Sequence, residues 1–295
     1  MQFPKTPLVR LERVSKKLGN DVYAKLESVN PTGSHKDRES LAMINDMLVR
    51  NAKEAVIAST GNAAISMSAL APCEGIRVNV FVSNRISQER LNLISVFSPK
   101  LHLINGAYGD AVRESEIFAE SMGLYNANPG RNRHKLLGDS AIGFEIVSQL
   151  KNVSPDYVLV PTNNGTLISG VWIGIKKASP KMIAAVARET MLMGSIEGYH
   201  RYDGQELERT ISESGGEVVN ITDNEAATAT MELRSEGVLC EPTAAASLAA
   251  LMKLGVRGKS VVLLITGNAF KFLESYVKAM ALCESTDEVA KSSTL

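Results

Sequence analysis

Asn30-Pro31-Thr32-Gly33-Ser34-His35-Lys36-Asp37-Arg38 joins a β-rich run, Val22 to Leu26, to a helical pattern. Pro31 and Gly33 mark a turn. Ser34, three residues before Asp37, has the spacing of a helix N-cap, which puts Lys36 in the first helical turn. The positive end of the helix dipole disfavours a protonated amine there, and burial lowers its pKa further. An amine so placed is a nucleophile near neutral pH. A lone lysine at a helix start ordinarily just lays its stem on the surface with its charge in water, so the assignment rests on the rest of the chain.

Working outward, the strand-then-helix unit recurs. Ala55 to Ala58, Val78 to Val82, Leu101 to Ile104, Tyr157 to Val160, Ile183 to Val186 and Val261 to Ile265 also read as strands. Helical stretches of about a dozen residues fill most gaps, the crossover length that parallel strands need. Several runs are apolar on both faces, as strands covered on both sides must be. The expected class is α/β, with mainly parallel twisted sheets flanked by helices. Thr222 with Glu225 forms a capping-box pattern, and Gly237 follows the helical run ending near Glu236. No Pro/Gly-rich linker divides the chain, so a second domain is interleaved with the first.

Composition removes several classes. With 295 residues, 44% hydrophobic, the chain can bury one large core or two modest ones. Lys plus Arg and Asp plus Glu both number 32, so no net field draws it to nucleic acid or to an anionic membrane. Cys73, Cys240 and Cys283 lie far apart without a C-x-x-C, and His35, His102, His134 and His200 lack ligand spacing, so neither a disulfide framework nor a metal is expected. The N-terminus lacks an apolar signal core, and runs such as Val261 to Ile265 are too short to span a bilayer. A reducing cytoplasm is the simplest compartment. Dinucleotide, Walker A, H-E-x-x-H and G-x-S-x-G strings do not occur.

Four further segments carry chemistry. Ser59-Thr60-Gly61-Asn62 follows a strand and opens a helix, where free backbone N–H groups hold a carboxylate. Asn163-Asn164-Gly165-Thr166 follows the strand ending at Val160 and precedes a helix bearing Gly170 and Gly174, an arrangement whose amides cradle a phosphate. Thr266 ends the last strand. Arg131-Asn132-Arg133-His134-Lys135 is a dense basic cluster, although such runs are more often solvated surface.

The opening TPLVRLERVSKKLGNDVYAKLESVNPTGSHKDR, Thr6 to Arg38, resembles the fold-type-II pyridoxal-phosphate enzymes, threonine synthases in particular, over the segment that ends in their Schiff-base lysine. STGNAA at Ser59 to Ala64, GFEI at Gly143 to Ile146, EPTAAASLAAL at Glu241 to Leu251 and TGNAFK at Thr266 to Lys271 follow in the family's order. The resemblance therefore covers almost the whole chain. It implies pyridoxal 5′-phosphate on Lys36, a hydrogen bond from Asn62 to the ring oxygen, the phosphate at Asn163, Asn164, Gly165 and Thr166, and Thr266 against the pyridine nitrogen. A neutral partner there weakens the ring as an electron sink and suits chemistry at the β and γ carbons. Ser59, Thr60, Gly61 and Asn62 would hold a small amino-acid substrate, and Arg131 and Arg133 its phosphate.

The same resemblance implies a larger cofactor-binding domain from 1–36 and 135–295, a smaller mobile one from 37–134, and a homodimer. The expected reaction is that of threonine biosynthesis, O-phospho-L-homoserine and water to L-threonine and phosphate. A serine/threonine dehydratase and a non-catalytic relative are the alternatives. They stay open because the chain departs from the pattern. The Asn163 loop has a single glycine, Gly138-Asp139-Ser140-Ala141 stands where threonine synthases have Gly-Gln-Lys-Thr, and His35 replaces their aromatic residue.

Overall fold

The computed structural model describes residues 3–151, 153–195 and 202–292, with side chains in the last helix to Glu284. His200 lies outside the described residues. The chain builds two sheets. The larger takes strands β1 (Leu8–Arg10), β2 (Asp21–Leu26), β7 (Tyr157–Pro161), β8 (Lys181–Val186), β9 (Glu217–Asn220) and β10 (Ser260–Ile265), in the order β1-β2-β10-β7-β8-β9. Only β1 runs antiparallel to its neighbour. The smaller sheet, β3 (Glu54–Ala58), β4 (Arg77–Ser83), β5 (Lys100–Ile104) and β6 (Tyr125–Asn126), is parallel throughout, in the order β5-β4-β3-β6.

The helices are α1 (Glu12–Leu18), α2 (Lys36–Val49), α3 (Asn62–Leu70), α4 (Gln88–Ser95), α5 (Tyr108–Ser121), α6 (His134–Gln149), α7 (Thr166–Ile175), α8 (Gly204–Ser214), α9 (Asp223–Ser235), α10 (Pro242–Leu254) and α11 (Leu273–Ser292). None among the described residues is long and apolar enough to cross a membrane.

The period of 2 explains why the strands sit between layers. In β10, Val261, Leu263 and Ile265 enter one core and Val262 and Leu264 the other, all buried. β3 does the same, Ala55 and Ile57 facing one cluster and Val56 and Ala58 the second. Both faces are thus apolar, and parallel pairing with helices on either side follows. β10 and β2, from opposite ends of the sequence, pair in register from Ser260 with Asp21 to Ile265 with Leu26. Every run read as a strand lies on one. β1, β6 and β9 were not anticipated, being two to four residues long and partly exposed.

Two features position the site. α6 and α7 cross with their backbones almost in contact: a Cβ on Gly174 would fall 2.1 Å from the Ser140 carbonyl oxygen, and one on Gly143 2.3 Å from that of Val171. The C-terminal ends of β3, β7 and β10 all open toward one cleft, where ligands meet parallel sheets.

Candidate active site

Lys36 is the first residue of α2, but Ser34 does not cap that helix; the cap position is His35, and the Ser34 hydroxyl is buried without a partner among the described residues. The capping expectation fails because the turn is held from the other side. Asp37 reaches back to accept from the Thr32 N–H at 2.7 Å and from the Thr32 hydroxyl. The segment is also clipped to the end of β10: His35 N–H donates to the Thr266 carbonyl at 3.0 Å, and Asn268 N–H to that of Gly33 at 3.1 Å. Gly33 sits at φ 81°, and a Cβ there would strike the Asn268 side chain at 2.1 Å. Only glycine fits both constraints.

The cleft between the two sheets encloses about 350 Å³. Lys36, Asn62, Thr266 and the turn Asn163 to Thr166 all line it, as do Ser59, Thr60 and Gly61. Asn62 opens α3 directly after β3 and is buried; its amide nitrogen lies 3.4 and 3.5 Å from the Glu241 carboxyl, and its Oδ1 has no partner among the described residues. Thr266 spends its carbonyl on His35, leaving Oγ1 buried and likewise without a partner.

At the far end, Gly165 caps α7 at φ 95°, where a Cβ would meet the Asp203 carbonyl at 2.7 Å. The start of α8 thus lies over this turn. Thr166 donates its hydroxyl to the Asp203 carboxylate, and Asp203 N–H donates to the Asn164 carbonyl at 3.0 Å.

Arg131 and Arg133 are exposed and do not line the cleft; Arg131 is engaged by Glu116 at 2.9 and 3.1 Å. The cation of that run that does line it is Lys135, one helical position into α6 and buried. Arg90, also a lining residue, rises from α4 over the Phe272 ring at 4.7 Å. It forms no hydrogen bond or ion pair through its guanidinium among the described residues, although Glu241 feels its charge. No local signal in the sequence singled out Arg90.

The electrostatics of Lys36 differ from the expectation of a lowered pKa. Burial does oppose its charge, but Glu39, Asp139 and Asp203 outweigh it, and the amine stands above the ordinary lysine value. Its side chain is 25% exposed, toward the cleft. Glu39, one turn on along α2, is fully buried against Lys36, with Lys135 at 3.7 Å and His35 at 3.7 Å. Burial would raise its pKa, yet Lys36, Lys135 and His35 hold it down at about 2. Burial lowers Lys135 and keeps His35 neutral to about 3, while the Asp139 carboxyl, buried and next to Glu39, is pushed up. Glu39 was missed although its i,i+3 spacing from Lys36 is readable. His35, Glu39 and Asp139 converge within 4.8 Å, but two lysines face the same carboxylate, so the group is charge-balanced by protein.

The family model for pyridoxal-phosphate dependent enzymes matches residues 1–267. The chain belongs to that family. Threonine synthase of Synechocystis sp. is 29% identical over 296 residues, covering 90% of this chain and 76% of its own length. Threonine synthase of Methanosarcina acetivorans is 29% identical over 303 residues, covering 90% and 75%. Among solved structures, maize serine racemase superposes with a TM-score of 0.81 at 17% identity, over 94% of this chain and 93% of that one, a likeness of fold.

Family members use pyridoxal phosphate, and the residues present fit it. An amine at Lys36 and two buried, partnerless polar atoms, Asn62 Oδ1 and Thr266 Oγ1, border one cleft. Such atoms are costly in a folded interior without a ligand to bond. At its end, the α7 N-terminus, which has no side-chain cap, offers first-turn backbone amides and positive dipole for a phosphate. Lys36 would hold the aldehyde carbon, Asn62 and Thr266 the ring, and the 163–166 turn the phosphate.

Proposed function

We propose that this enzyme is a threonine synthase, converting O-phospho-L-homoserine and water to L-threonine and phosphate. The observation that carries the reading is Arg90, a guanidinium lining the cleft with no carboxylate bound to it among the described residues. A neutral substrate such as serine or threonine would leave that charge idle, whereas a substrate with a second anionic group engages it. The threonine synthase relatives, similar over nine-tenths of the chain, support the same assignment.

In this reading the anion-binding role expected of Arg131 and Arg133 passes to Arg90. Ser59, Thr60, Gly61 and Asn62 take the α-carboxylate at the start of α3. Pyridoxal phosphate, when bound, supplies an electron sink for the carbons next to the substrate amine. Lys36 Nζ takes the proton from the α carbon and returns protons along the chain of the substrate. The hydroxyl of Thr266 would face the ring nitrogen without charging it, and Tyr108, tied to the Ala58 carbonyl at 3.3 Å, closes one wall. The domains expected at 1–36 with 135–295 and at 37–134 would close over the substrate, and a homodimer is the proposed assembly.

Phosphate release from O-phosphohomoserine, measured beside ammonia release from threonine and serine, tests the assignment. Threonine and phosphate in equal amounts are expected, with Arg90→Ala raising KM for the phosphorylated substrate by about tenfold to a hundredfold. Ammonia from threonine with no phosphate released would make the protein a dehydratase. Bound cofactor with no turnover of either would make it a non-catalytic relative.

A further inference from the structure

Glu241 stands at the head of α10, yet its side chain does not serve that helix. Pro242 takes the first helical position, and the Glu241 carboxyl makes no cap hydrogen bond. It is buried, lines the cleft, and turns instead to Asn62, 179 residues away at the start of α3. Its backbone is clipped to the strand end that carries Thr266, since Glu241 N–H donates to the Gly267 carbonyl at 3.1 Å. A Cβ on Gly267 would fall 2.5 Å from Glu241 Oε1, so only a glycine there leaves room for the carboxyl. Glu241 thus adjoins the chain neighbour of Thr266 on one side and Asn62 on the other, and those two residues flank the space for the cofactor ring.

A side-chain amide has two ends of opposite character, a nitrogen with two donors and an oxygen that only accepts. Both oxygens of Glu241 face the nitrogen of Asn62, at 3.4 and 3.5 Å, while Asn62 Oδ1 has no partner among the described residues. Turning the amide over would set Oδ1 against the carboxylate, acceptor against acceptor, in a buried place where such repulsion is strong. Burial raises the pKa of Glu241, and the charges of Lys271 and Arg90 oppose it. Lys271 Nζ is itself buried without a hydrogen-bond partner among the described residues.

We propose that Glu241 is a positioning residue of this site, holding one N–H of Asn62 and so committing the other to the ring oxygen of the cofactor. The consequence is a choice of proton position. A donor at the ring oxygen favours its ionised form, with the proton on the lysine nitrogen, and the bound cofactor then absorbs in the visible. An acceptor there favours the hydroxyl, which absorbs in the near ultraviolet. Glu241 therefore tunes the cofactor without touching it. The inference rests on the family's cofactor and on the ring contact assigned to Asn62, and not on which amino acid is turned over.

The test reads the loaded protein at neutral pH without substrate, as the ratio of visible to near-ultraviolet absorbance of bound pyridoxal 5′-phosphate. In Glu241→Gln the new amide can offer its own N–H to Asn62 Oδ1, so the overturned amide is no longer penalised. The ratio is expected to fall about fivefold, the worth of one hydrogen bond, with the circular dichroism of the wild type in the far ultraviolet. Asn62→Ala should lower the ratio at least as far, and Glu241→Gln added to it should change nothing more. Glu241→Gln combined with Lys271→Met, which leaves no lone ammonium in the interior, should show the same fall as Glu241→Gln. A wild-type ratio in either Glu241 variant, or a fall from Glu241→Gln that is undiminished in the Asn62→Ala background, would overturn the positioning role and leave the ring contact of Asn62 standing. An unchanged ratio in Asn62→Ala would remove that contact, and the role of Glu241 with it.

Discussion

Arg38 and Glu145, 107 residues apart, meet in a two-point ion pair, Nη1 to Oε1 at 2.7 Å and Nη2 to Oε2 at 2.9 Å. Glu27 takes the other edge of the same guanidinium at 2.7 and 3.0 Å, and Lys25 completes the group by donating to Glu145. This cluster locks α2, two residues past Lys36, to α6, ten residues past Lys135 by the numbering of the chain, and so fixes the distance between the two amines.

Arg38→Met should therefore destabilise the protein by about 3–5 kcal/mol, because it strands the buried Glu27 carboxylate and leaves Glu145 to Lys25 alone. Arg38→Lys should recover only part of this, since an ammonium cannot fork to two carboxylates. The urea midpoint checks both. A midpoint unchanged in Arg38→Met would mean that the cluster does not hold the helices together.

Lys36→Ala should abolish the visible absorbance of protein-bound cofactor and all turnover while leaving the far-ultraviolet circular dichroism of the wild type. A mutant that still acquires that absorbance would require another amine, and Lys135, in the same cleft, is where borohydride trapping and peptide mapping should look.

Burial makes the protein acid-sensitive with a defined sign. His35 is held neutral to about 3 by burial and by the charge of Lys36, against 6.5 for the free side chain. Between those values the unfolded chain binds a proton that the folded one refuses, so stability falls as pH drops from about 6.5, by at most about 1.4 kcal/mol per unit. Glu39, held at about 2 against 4.5, adds the same sign lower down: its contribution is whole above 4.5 and is lost toward 2. Because burial also lowers His102 and raises Asp139 and Glu241, the histidine is isolated by comparing the wild type with a variant in unfolding free energy at pH 7 and pH 5. His35→Asn should flatten the slope between them, and equal slopes in the two proteins would contradict the assignment.

What the sequence reveals and what it hides follow from locality. The apolar run Val261 to Ile265 declares a two-sided strand by itself, and Gly33 and Asp37 declare a turn, because each signal is carried by neighbours in the chain. β6, two residues long, exists because the adjacent β3 offers it a ladder. The basic run at Arg131 to Lys135 looks uniform, yet α6 turns Lys135 inward and leaves Arg131 to Glu116 on the surface. Charge patterning cannot report that rotation, nor could it show that Lys36 meets acids from three separate segments. The lysine was legible; its protonation was not.

Gly174→Ala should be among the most damaging small substitutions available. The added methyl group would sit 2.1 Å from the Ser140 carbonyl oxygen and must push α7 off α6. Overpacking of this kind costs about 1–3 kcal/mol or more. Because Lys135 rides on α6 and Thr166 opens α7, cofactor affinity should fall along with stability. By contrast Gly215→Ala, at a helix end with nothing within 4 Å of its Cβ, should cost only the strain of its φ of 61°. Equal losses in the two variants would argue against close helix packing as the cause.

Thr266→Val separates the needs of the cofactor from those of the fold. The hydroxyl is 3% exposed and bonds to nothing among the described residues, while its backbone carbonyl carries the contact to His35. Replacing it with a methyl group of the same shape removes an unsatisfied buried polar atom, so the cofactor-free protein should unfold at the same denaturant concentration or a higher one. The loaded protein should move the other way, since the ring nitrogen would lose the hydroxyl proposed to face it. A hydrogen bond worth about 1 kcal/mol predicts a rise of about fivefold in the cofactor dissociation constant. Thr266→Ser, which keeps the oxygen, should restore affinity but not the gain in stability. If Thr266→Val weakened the cofactor-free protein instead, the hydroxyl would belong to the fold, and its place opposite the pyridine ring would have to be given up.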